Sequence, residues 1–83
     1  MTELLTLLTI YYGCAHEAAL GTLTQVQRFA CNETYQQAKR VFVVDELPHP
    51  QAALTPDQNT RAYLALRAWE AENAAWVRET RGW

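Results

Sequence analysis

Apolar positions crowd the first twenty residues, and only a narrow polar strip interrupts them. At 100° per residue, Thr6, Thr9, Gly13, His16 and Glu17 gather in one arc, while Leu4, Leu5, Leu7, Leu8, Ile10, Tyr11, Tyr12, Cys14, Ala15, Ala18 and Ala19 fill the remaining arc of roughly 220°. The pattern predicts a helix over about 3–20. A helix resting on one neighbour needs an apolar stripe of only about 100° or slightly more. This one calls for cover on two sides, from other helices or from a second chain.

Gly21 punctuates the chain next, and Thr22 with Gln25 has the spacing of a capping box. A second helix is expected over 23–45, its apolar stripe carried by Cys31, Tyr35, Ala38 and Phe42. The run Val41-Phe42-Val43-Val44 also suits a strand. Its only partner would be Leu7–Tyr12, and an isolated strand pair is marginal, so helix is the expectation there. Leu47-Pro48-His49-Pro50 forces extended backbone and begins a loop that runs to Leu54. Thr55-Pro56-Asp57-Gln58 then reads as a strong helix start: a capping threonine, proline at the first helical position, and a glutamine closing the box. Asp57 meets the positive end of that helix dipole and can pair with Arg61. The last helix is expected over 56–80. Along it Trp69, Trp76 and, past Gly82, Trp83 recur every seven residues, with Ala62 and Leu66 extending the stripe backward and Asn73 interrupting it. Trp69 is expected in the core and Trp76 at its margin. Trp83 is expected to be ordered only by a partner.

These elements predict an all-α fold: one compact three-helix domain spanning 1–83, with a proline-containing loop before the last helix. The 83 residues are 49% hydrophobic and 19% charged, which argues for a packed chain over a disordered one. The net charge of −2, with no basic cluster beyond Lys39-Arg40, argues against a nucleic-acid partner. The apolar run near the N-terminus is too short to span a bilayer and lacks the positive flank of a signal peptide. Cys14 and Cys31 permit one pairing. They are expected to be buried thiols in a cytoplasmic protein. The alternative is a disulfide in a periplasmic or secreted one.

Candidate chemistry is sparse. Cys14 and His16 point about 200° apart on a helix, so they cannot act as a pair. Cysteines and histidines lack metal-ligand spacing. The pairs Asp45-Glu46 and Glu70/Glu72 have no nearby base, and no glycine-rich phosphate loop is present. The sequence therefore points to no enzyme, cofactor or metal, and to action by contact. Tyr11, Tyr12, Trp76, Arg78, Arg81 and Trp83 are the candidate partner-binding residues, because arginine beside large aromatics is typical of interface anchors. The expectation is a small protein-binding module, an adaptor, inhibitor or modulator of a larger protein. Self-association as a homodimer through the first helix is expected to use the same apolar surface. Small phage- or mobile-element-encoded modulators share this size and composition. The alternative is an exported, disulfide-stapled inhibitor or immunity-type protein.

Overall fold

The computed structural model describes residues 2–82. Among them it is all-α, with four α-helices where three were expected: α1 Thr2–Ala19, α2 Gln25–Arg40, α3 Pro56–Glu72 and α4 Ala74–Arg81, with a 3-10 segment, Val41–Glu46, running on from α2. No helix of the described residues is long and apolar enough to cross a membrane.

Helix α1 follows the wheel pattern in part, since Ile10, Ala18 and Ala19 of the apolar arc are exposed. Its polar arc is exposed, and Leu4, Leu8 and Tyr12 are buried. Cover comes from two sides, α2 along one and α4 along the other. The helix ends where the Gly21 backbone takes φ 74°, a left-handed value that costs glycine little. Thr22 belongs to this ending and does not start α2, contrary to the expected cap. Its amide and its hydroxyl both donate to the Glu17 carbonyl, at 3.1 and 3.0 Å. The box that opens α2 is Thr24 with Gln27: the Gln27 amide donates to Thr24 Oγ1, and the Thr24 amide to Gln27 Oε1. The same device, Thr55 with Gln58 and Pro56 between them, opens α3 as expected.

Two interruptions depart from the expected helices. Helix α2 stops at Arg40 rather than about 45, and Val43 leaves helical geometry at φ −131°, ψ 19°. The β-branched run neither continues the α-helix nor finds a strand partner, and it tightens into a 3-10 segment. Asn73 breaks the expected last helix. Its amide reaches the Trp69 and Glu70 carbonyls, and its side-chain Nδ2 also donates to the Trp69 carbonyl at 2.9 Å. A side chain that competes for backbone acceptors in this way favours a turn over continued helix.

The core joins all four helices through Leu4, Leu8, Tyr12, Ala38, Leu66 and Val77. Leu4, Leu8 and Leu66 are fully buried, and each such leucine contributes about 1.5–3 kcal/mol by leaving water. Trp69 and Trp76, half-buried against this core, meet edge to face across the Asn73 break, ring centres 5.5 Å apart. Arg61 ties the 3-10 segment to α3 by bonding both oxygens of Glu46, each at 2.6 Å, and pairing with Asp57 at 2.8 Å. The Arg61 guanidinium in turn holds the Glu46 carboxyl below its ordinary range.

Candidate functional site

Burial divides the α1–α2 hairpin in two. Before Tyr12 and after Cys31 the helices carry core residues, whereas between them residues 16–22 and 24–30 are all exposed and only Leu23 is partly covered. The tip of the hairpin thus stands clear of α3 and α4 as a two-helix prong. At its base Cys14 and Cys31 form a disulfide, Cα atoms 5.8 Å apart. The expectation of two free thiols is corrected, because both sulfurs are spent in this bond and no free cysteine remains among the described residues. The bond lies where the core gives out, next to the Tyr11–Tyr35 stack at 4.7 Å. The prong carries three large apolar side chains in water: Leu20 at 64% exposure, Val26 at 79% and Phe29 at 67%. Val26 and Phe29 are three residues apart and share the side of α2 opposite its Cys31–Ala38 stripe.

The six residues singled out from sequence fall into three groups. Tyr11, Tyr12, Trp76 and Arg81 come together: Tyr11 and Trp76 flank Tyr12 with ring centres 6.1 and 6.2 Å away, and the Arg81 guanidinium lies 5.6 Å over the Tyr12 ring. Tyr12 itself is 3% exposed and belongs to the core, so it is not a surface anchor. Its hydroxyl donates to Glu70 Oε2 at 2.5 Å. Burial raises its pKa above the usual phenol value, the Glu70 bond and charge add to the shift, and Arg81 opposes it. Arg78 is exposed and makes none of these ring contacts. Trp83 lies outside the described residues.

Several notable side chains escaped the sequence reading. Lys39 is 95% removed from solvent. Its Nζ donates to Asn59 Oδ1 at 2.5 Å and stands 5.0 Å over the Tyr35 ring. Desolvation, and then the charge of Arg40, push its pKa down. Val26 and Phe29 were legible as an apolar pair on the polar side of the α2 wheel. Lys39 carried no such mark, because its burial depends on α3 packing over it.

No group of three or more His, Cys, Asp or Glu side chains among the described residues is placed to hold a metal ion. Compared with protein-family models, curated proteins and solved structures, the chain matches none.

Proposed function

We propose that this chain is a non-enzymatic protein-binding module that docks through the tip of its α1–α2 prong. The observation that carries the reading is the exposure of Val26 and Phe29 on a rigidly clamped hairpin. A phenylalanine two-thirds in water contributes nothing to the core, yet it suits a partner's apolar pocket. The clamp limits the ordering cost of binding, which favours affinity. The proposed anchors therefore shift from the tyrosine–tryptophan cluster, which braces the fold, to Leu20, Val26 and Phe29. Trp76 and Arg81 remain a secondary edge.

The disulfide favours the exported form of this module, an inhibitor or immunity-type protein of an oxidising compartment, over the cytoplasmic adaptor. Thiol counting under denaturing conditions, on protein isolated natively, separates the two, and two free thiols would remove the exported form.

The docking claim is tested with Val26→Ser/Phe29→Ser. Both side chains lie outside the core, so the melting temperature should hold, while a partner retained by the wild type, identified by mass spectrometry, is released. Loss of one anchor of this kind weakens binding by about 2 kcal/mol or more, about thirtyfold. Equal retention of the same partner by both proteins would sink the reading. Solution mass across a wide concentration range tests self-association by the same surface: the double variant should abolish any dimer the wild type forms.

A further inference from the structure

The loop between the 3-10 segment and α3 folds back over the end of α2. It is tied there by Arg40, whose Nε donates to the Ala52 carbonyl at 2.9 Å, and Ala52 is buried. Between this tie and the first turn of α1 lies a hollow of about 390 Å³. Val41, Val44 and Pro50 give it an apolar wall, while Arg40 and Glu3 bring opposite charges to the same space. Among the described residues neither charge has an ion-pair partner, although Arg61 engages two carboxylates and Arg67 one. The Ala52 tie uses only one edge of the Arg40 guanidinium. Its two terminal nitrogens stay available, and they are the pair suited to a carboxylate.

We infer that this hollow binds a small zwitterion with an apolar body, an apolar α-amino acid or its dipeptide. The carboxylate lies on Arg40, the ammonium faces Glu3, and the side chain lies against Val41, Val44 and Pro50. Charge complementarity selects this class. Glu3 repels a simple anion, whereas Arg40 repels a simple cation. Size agrees, because the hollow is at the small end of ligand sites. The site is separate from the prong and does not depend on the protein-binding reading.

Titration calorimetry on the intact oxidised chain decides the matter with four probes: leucine, leucyl-leucine, N-acetyl-leucine and leucinamide. Leucine or leucyl-leucine should saturate, and whichever binds tighter identifies amino acid or dipeptide as the natural size. Leucinamide, lacking the carboxylate, should bind about tenfold weaker or worse. N-acetyl-leucine, lacking the ammonium, should bind about threefold weaker, since Glu3 is exposed and its pairing is screened. In Glu3→Gln that preference for a free ammonium should vanish. Val44→Glu, at a half-exposed position, should abolish binding of all four while the melting temperature holds. No saturation at millimolar concentration, equal affinity for all four probes, or an ammonium preference that survives Glu3→Gln would each overturn the inference.

Discussion

The two helix pairs of this chain are held together by different means. The α3–α4 pair is joined by a break at Asn73 and locked by large side chains, with Leu66, Trp69, Trp76 and Val77 all packed on or against the core. The outer part of the α1–α2 pair has almost no core of its own, and beyond Tyr12 it relies on the Cys14–Cys31 bond and the caps at Thr22 and Thr24. In a chain of 83 residues apolar burial is scarce. The difference teaches that a covalent bond and local capping can hold an element in place where apolar burial is missing, and that they leave its surface free.

The contrast can be broken most forcefully from the body. Leu8→Ala should cost about 2–5 kcal/mol of unfolding free energy in a denaturant titration, enough to unfold much of the population. Reduction of the disulfide, with residues 14 and 31 separated by 17 positions, should cost about 3 kcal/mol. Amide exchange should then quicken over residues 15–30 before it does in α3, and uniform quickening would erase the distinction between prong and body.

Tyr12→Phe removes a hydrogen bond to a carboxylate and should cost about 1.5–3 kcal/mol at neutral pH. It also carries a pH signature. The folded chain holds the Tyr12 hydroxyl protonated beyond the point where the unfolded phenol ionises, near pH 10. Its contribution is therefore full below about pH 10 and is lost as pH climbs above that value. The variant's stability should fall less steeply in alkali than the wild type's. Lys39, pushed down by burial, acts in the opposite sense, since the cost of burying its charge is relieved as pH rises. Tyr35, also raised by burial, leaves some alkaline loss in the variant. The difference between the two pH curves isolates Tyr12.

Effects on the prong alone are smaller. Thr24→Ala should cost about 1 kcal/mol through the lost cap. Val26→Ser/Phe29→Ser should move stability by no more than about 0.5 kcal/mol, measured by thermal melting. A larger loss would mean that these residues pack onto the body and that the prong is not free.

Much of the body was legible because its signals are local. Thr55-Pro56-Asp57-Gln58 offers a single start for α3, and the polar arc of α1 leaves one way to lay the helix down. The start of α2 was ambiguous because Thr22-Gln25 and Thr24-Gln27 have the same spacing. What decides between them is the end of α1, which takes Thr22 for its own carbonyl. The break at Asn73 was visible only as an interruption of the tryptophan stripe, since asparagine ends a helix only when its amide finds a carbonyl to bond. The disulfide required tertiary information, although a hint was present: Cys14 and Cys31 lie almost equally far from Thr22, so a hairpin turning there brings them opposite one another. As for the candidate site, Tyr12 was legible as aromatic but misread as surface, while Trp76 lies at the margin of the core as expected. Phe29 was legible on the polar side of the α2 wheel, but that it stays uncovered there depends on α3 and α4 keeping clear of the prong.

The closure of the prong by one bond has an evolutionary consequence. Residues 16–22 and 24–30 contribute little to the core, and the bond that encloses them is indifferent to what they are. Apart from the turn glycine and the capping threonines, these positions can drift at little cost to folding. If the prong docks a partner as proposed, a lineage carrying this scaffold can exchange one specificity for another by rewriting the remaining exposed letters, with no need to rediscover a stable fold each time.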